Sequence, residues 1–216
     1  MELDKALSSR RSIRHFSDVP VEWSKIVKIL EAGSLAPSSG NVQNWRFIIV
    51  TDKSLKQEIV DACLEQEWMS EASVFIVVLS DNVMIEKLYD KRGKEFYAVQ
   101  NCAAAIENML LEITQLGLGS CWVGAFEEQA LKRILNIPDF VSVQAILPIG
   151  YPAENPPEPM HYSLETTCFF ESYGNKIKDI DAVLWNFNVV GNAVKITKNL
   201  AERIKKRINK ATGKKN

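Results

Sequence analysis

Residues 10–16 read RRSIRHF and bring Arg10, Arg11, Ser12 and Arg14 within five positions. Neighbouring cations repel, so such a cluster either faces water or holds an anion. A phosphate wants guanidinium forks and a short hydroxyl donor. Arg10 and Arg14 would share one face if the helix before them continued. On the pattern alone, a phosphate grip and a solvated basic turn are both open. No GxGxxG or GxxxxGK[ST] run is present, so side chains would have to hold any phosphate.

A second stretch, APSSGNVQNW (36–45), gathers Ser38, Ser39, Asn41, Gln43 and Asn44. Amides and hydroxyls of this kind read the edge of a flat heterocycle. The same residues also make ordinary turns. A third stretch, LGLGSCWVGAF (116–126), has glycines that permit close backbone approach to something flat, or that stop a helix and bulge a strand. The acid–base inventory is thin. The two histidines, His15 and His161, suggest no Ser–His–Asp set, and there is no HExxH. Four scattered cysteines without a CxxC pair make a zinc site improbable and fit a reduced cytoplasmic protein. Reactive chemistry, if any, belongs to a cofactor.

These residues need elements to position them. Residues 2–9 read as a short helix with Leu3, Ala6 and Leu7 inward. A second helix should begin at Pro20, capped by Ser17 or Asp18, with Trp23, Ile26, Val27 and Leu30 on one face and Gly33 at its end. RFIIVT (46–51) and SVFIVVLS (73–80) are nearly all apolar, which predicts strands covered on both faces. A helix is expected over 53–66, and a long buried one over 93–116. Then follow a strand at 120–126, a helix ending before Pro138, and a strand at 141–152. PAENPPEPM (152–160) lacks too many backbone donors for regular structure. The mixture implies α+β layers, with helices on both sides of one mixed, mostly antiparallel sheet.

The chain has 216 residues, of which 46% are hydrophobic, and a net charge of -1. That suits one domain with a C-terminal extension, expected at 1–173 and 174–216. It gives no global signal for nucleic acid. There is no apolar signal-peptide core and no run long enough to span a bilayer. Positive charge is concentrated in the tail, where Glu202 is the only acid from Lys195 onward. Ile196, Leu200, Ile204 and Ile208 suggest an amphipathic helix that packs on a second subunit or, less readily, touches an anionic membrane.

RRSIRHF, APSSGNVQNWRFIIV, the Ala-rich central helix, GLGSCWVGAF and LPIGYP occur in that order over about residues 3–155. Together they resemble the nitroreductase family of FMN-dependent oxidoreductases. The resemblance implies a homodimer with FMN at the subunit interface. NAD(P)H would donate hydride, and a nitroaromatic, quinone or flavin would accept it in ping-pong order. It implies that Arg10, Arg11 and Ser12 hold the FMN phosphate and ribityl chain, and that Arg14 supports the charge of the reduced ring. Pro37, Ser38 and Ser39 would come from the partner subunit, with Asn41 and Gln43 supporting the flavin. Gly124 and Ala125 would pass close to the ring, and Gly150 would sit near the phosphate. Trp68, Met69, Tyr89, Phe96 and Tyr97 are candidates for a substrate lid. Two departures stand out: Asn44 where many relatives have proline, and His161 where a basic residue often closes on the phosphate. The alternative function is a binding protein with a structural or sensing flavin, whose basic tail finds a partner.

Overall fold

The computed structural model describes residues 2–177, and the expected basic tail helix and most of the expected extension lie outside them. The described residues up to Glu158 form one compact unit, and those from Pro159 belong to a second. In the first unit β1 (Trp45–Val50), β2 (Val74–Asp81), β3 (Gly119–Ser120) and β4 (Val141–Gly150) make one sheet in the order β1-β2-β4-β3. All its named pairs are antiparallel. The mixed character comes from a parallel bridge between Ser12 and Ser120 outside the named strands.

Both faces of the sheet are covered, as the apolar strands require. On one face Phe75, Val77, Leu79 and Ile146 pack with α3 (Lys53–Ala62) and α6 (Glu128–Ile134). On the other, Ile76, Val78, Ala145 and Leu147 pack with α2 (Trp23–Ser34) and α5 (Ala98–Gln115). Burying one such side chain fully stabilises the fold by about 1.5–3 kcal/mol. Asp52 caps α3 by accepting the Leu55 N–H at 2.8 Å, which contributes about 1 kcal/mol.

Several local expectations are corrected. α1 (Leu3–Ser9) buries Ala6 but leaves Leu3 and Leu7 exposed. α2 starts at Trp23 with Glu22 as N-cap, so Pro20 lies outside it. Its buried face is Ile26 and Ile29, while Trp23 is 61% exposed. Gly33 does not end α2; it lies inside, and a Cβ there would stand 2.8 Å from Met109 Cγ. A helix missed in the sequence, α4 (Val83–Arg92), runs through a π-turn at Gly93–Tyr97 into α5. The strand expected over 120–126 shrinks to Gly119–Ser120 plus one bridge from Val123 to Ile146. The ladder between them is broken, which leaves 124–126 without strand pairing; the Ala125 carbonyl instead accepts Gln66 Nε2 at 3.2 Å.

In the second unit, α7 (Leu164–Thr167) precedes a turn closed by a bridge between Phe169 and Lys176. Among the described residues no helix is long and apolar enough to cross a membrane.

Candidate cofactor site

RRSIRHF is not helical. α1 ends at Ser9, and the chain turns extended at Arg10, with φ -59° and ψ 128°. It then runs along the sheet edge. Ile13 donates its N–H to the Ser120 carbonyl at 2.9 Å, and Ser17 donates to the Tyr151 carbonyl at 2.9 Å. Phe16 bridges Pro152. Ile13 and Phe16 point into the core. Alternation about Ile13 turns Ser12 and Arg14 outward, and both are exposed; the two-residue period then breaks, since Phe16 is buried as well. The arginines share a face through the two-residue period of a strand, not through a helix.

The three guanidinium groups differ in their commitments. Arg11 donates to the carbonyls of Ser8 at 2.7 Å and Arg10 at 2.9 Å, closing the C-terminus of α1. Arg10 stands 3.9 Å from the Glu107 carboxylate on α5, a half-exposed pair. Arg14 lies 5.8 Å from the Trp68 ring centroid, and among the described residues no carboxylate pairs with its side chain. Cys121 sits under the cluster. Burial pushes its thiol up, while the charges of Arg14 and Arg10 and a Ser12 contact pull the other way. Beside Ser12, the Ser120 hydroxyl is buried and has no hydrogen-bond partner among the described residues.

Gly124 and Ala125 are exposed, as close approach to a flat ligand requires. A Cβ on Gly124 would meet nothing nearer than Trp122 Nε1 at 4.0 Å. Gly150, in contrast, is buried, and a Cβ there would stand 2.9 Å from Phe16 Cδ1. It seats the Phe16 ring beneath the arginine edge.

The loop at 36–44 is tightly built. Ser39–Asn41 makes a single 3-10 turn. Gly40, Asn41 and Gln43 all have positive φ, at 57°, 55° and 48°. The Gln43 N–H donates to Ser38 Oγ at 3.0 Å, and Gln43 Nε2 donates to Asn41 Oδ1 at 3.0 Å. Pro37, Asn41 and Gln43 are exposed, and Ser38 and Ser39 are half-buried. The loop is tied to α5 through Asn101, whereas Arg10 approaches α5 at Glu107. Six positions at about 100° each put those two attachment points on different faces of the helix. Among the described residues no hydrogen bond, ion pair or ring contact joins 36–44 to 10–16. Within one chain the two segments do not close on each other.

Of the lid candidates, Met69 is fully buried in the core. Tyr89 and Tyr97 stack edge to face at 5.2 Å, and Phe96 is 46% exposed. Arg92 lies over the rings of Phe96 and Tyr97. His161 is exposed and belongs to the second unit. Sequence reasoning missed Glu154, which accepts the N–H groups of Arg14 at 2.5 Å and His15 at 3.1 Å. It missed Ser120 and Asn101 as well. Asn101 had a signal: an amide inside the apolar run AVQNCAAAIENMLL. A cleft of about 620 Å³ beside Lys56, Ser70 and Ser73 includes none of the arginines. There the Lys56 ammonium, lowered in pKa by burial, donates to the Ala72 carbonyl at 2.6 Å.

The family model described as Nitroreductase family matches residues 7–68 and 62–151. A protein of Archaeoglobus fulgidus, provisionally named NADH dehydrogenase/NAD(P)H nitroreductase, is 38% identical over 154 residues, covering 69% of this chain and 85% of that one. The FMN reductase [NAD(P)H] of Bacillus subtilis is 31% identical, covering 81% and 76%. The crystal structure of an FMN-dependent nitroreductase from Clostridium difficile superposes with a TM-score of 0.68 at 27% identity, covering 79% of this chain and 99% of that one. The matched segments span the arginine edge, the amide-rich loop and the Gly124 turn, and sequence and fold agree: this chain belongs to the nitroreductase family.

Proposed function

We propose that this protein is an NAD(P)H-dependent flavin oxidoreductase that holds FMN and reduces a small organic acceptor. The observation that carries this reading is the outward edge of Arg10, Ser12 and Arg14. It runs past a buried Ser120 hydroxyl that has no partner among the described residues and toward the exposed Gly124 and Ala125. That donor set fits a phosphorylated, flat, redox-active ligand. Cations and hydroxyls suit a phosphate, and exposed backbone bearing no side chain larger than a methyl at Gly124 and Ala125 suits a ring. The relatives named for FMN and NAD(P)H support the same assignment.

When bound, FMN supplies the redox chemistry, taking hydride from NAD(P)H and passing two electrons on to a nitroaromatic, quinone or flavin. The protein's own residues bind and orient. Arg10, Arg11 and Ser12 would hold the phosphate and ribityl chain. Arg11 does so with the donors left after it closes α1. Arg14, whose side chain pairs with no carboxylate among the described residues, offers fixed positive charge to a ring that becomes anionic on reduction. Gly150 acts from below by seating Phe16.

Pro37, Ser38, Ser39, Asn41 and Gln43 of a second copy would complete the site in a homodimer. The separation of the two halves on different faces of α5 supports this. So do the exposed Leu3, Leu7, Trp23 and Leu35, apolar side chains that association would cover. Donor and acceptor then use one open face in turn, which gives ping-pong kinetics.

The test is direct. Purified protein should be yellow or become so with FMN. Anaerobic NADH or NADPH should bleach it, and an added quinone or nitroaromatic should restore the colour. Initial-rate plots at several acceptor concentrations should be parallel. Protein that stays colourless after incubation with FMN would end this reading.

A further inference from the structure

The loop at 38–43 holds a conformation that its own residues do not favour. Asn41 tolerates a left-handed backbone, but Gln43 at φ 48° does so less readily. Such conformations persist when the surroundings over-determine them. Tyr89 presses on the loop from one side: its hydroxyl oxygen would lie 2.5 Å from a Cβ on Gly40, where φ is 57°. The other side is held through buried side chains.

Asn101 Oδ1 accepts the Ser39 backbone N–H at 2.9 Å. A backbone N–H can only donate, so the orientation of the Asn101 amide is dictated at this end. Its Nδ2 then faces away and donates to Asn44 Oδ1 at 2.7 Å. Asn44 Nδ2 must in turn donate to Ser80 Oγ, at 2.8 Å. The Ser80 hydroxyl donates to Asn82 Oδ1 at 2.7 Å, and Asn82 Nδ2 donates to Ser142 Oγ at 2.8 Å. Every link has the same sense, from the loop through α5 and β2 to β4. Asn44, Asn101, Ser80 and Asn82 are each 4% exposed or less. A fully satisfied buried network rigidifies what it touches. Asn44 directly precedes β1, so the network ties the end of the loop to the sheet.

We infer that Asn44 and Asn101 are positioning residues, whose buried relay holds the strained 38–43 loop in the form that presents its groups to flavin. The inference rests on the flavin reading above. It adds two residues that touch no part of the proposed flavin contacts except through Ser39.

The experiment uses full-length protein and compares wild type with Asn101→Ala, Asn44→Ala and, as a core control of similar burial, Ile106→Ala. Amide hydrogen exchange is followed at residues 39–43 without added flavin, and FMN affinity is measured by quenching of flavin fluorescence. Asn101→Ala should speed exchange at Ser39 and weaken FMN binding, each by about tenfold, the effect of one buried hydrogen bond. Ile106→Ala should lower the thermal midpoint with both readings within twofold of wild type. If Asn101→Ala does not fold, Ser80→Ala removes a middle link and leaves the Ser39 bond intact. It should weaken FMN about threefold. Asn101→Ala that behaves like Ile106→Ala, or Ser80→Ala with unchanged affinity, overturns the relay. Wild type that takes up no FMN overturns the flavin reading instead, and exchange at Ser39 then decides the hold on the loop by itself.

Discussion

The Glu154 carboxylate receives the backbone N–H of Arg14 at 2.5 Å across 140 positions of sequence. This bond, with its partner from His15 at 3.1 Å, clamps the arginine edge from the far side without touching a guanidinium. It leaves the cations of Arg10 and Arg14 available while fixing the backbone that carries them.

The clamp should be visible in acid. The Arg14 N–H, opposed by some desolvation and helped by the His15 N–H and the charges of His15 and Arg14, holds the Glu154 carboxyl below its ordinary value of 4.5. A carboxyl depressed on folding stabilises the native state above its unfolded value, and that contribution is lost as pH falls through the folded value. The thermal midpoint of wild type should therefore exceed that of Glu154→Gln at pH 7. The gap should close as pH drops below 4.5. A gap independent of pH would show that the charge of Glu154 is not what holds the segment.

Arginine substitutions should separate binding from folding. The Arg10–Glu107 pair is half-exposed, and such pairs contribute about 0–1 kcal/mol. Arg14 has no carboxylate partner among the described residues. Arg10→Ala and Arg14→Ala should each weaken FMN about 10- to 100-fold, as expected for hydrogen bonds to a charged group. Melting should barely change. Retention of FMN by the double variant through gel filtration would remove the arginine edge from the site.

Two glycines should respond in opposite ways. Gly124 faces open space, so Gly124→Val should melt like wild type yet bind FMN poorly. Gly150 faces Phe16 at 2.9 Å, so Gly150→Ala should destabilise the fold by about 1–3 kcal/mol, the usual effect of overpacking. Chemical denaturation and flavin titration of both variants check the contrast.

Thiol labelling should report the second unit first. Burial pushes the thiols of Cys63 and Cys102 up to about 12, and that of Cys121 upward as well. Cys168 is only partly buried. Iodoacetamide at pH 8 should modify Cys168 well before the other three, as mass spectrometry of timed samples would show. Fast labelling of Cys63 or Cys102 would contradict their burial.

Much of this was legible in the linear chain. The strands at 45–50, 74–81 and 141–150 were evident because continuous apolar runs need cover on both faces. The importance of RRSIRHF followed from charge crowding, which is a local property. Whether the helix before it continues through that stretch was not legible, because its backbone state is set by partners elsewhere, the Ser120 and Tyr151 carbonyls and the Glu154 carboxylate. The strand at 120–126 failed for a similar reason: its glycines and exposed residues sit beside β4 without a continuous ladder.

What the sequence determined by itself is the family, the α+β layering and the chemical character of the arginine edge and the amide-rich loop, since residue type, order and short-range periodicity carry that information. Only the tertiary structure decided that Arg10, Ser12 and Arg14 share a strand face. Only it decided that Asn44 is knit to Asn101, and that the amide-rich loop and the arginine edge meet α5 on different faces. Hydrogen bonds between residues 57 and 140 positions apart leave no periodic trace in the chain. They exist only once the sheet and α5 have brought their partners together.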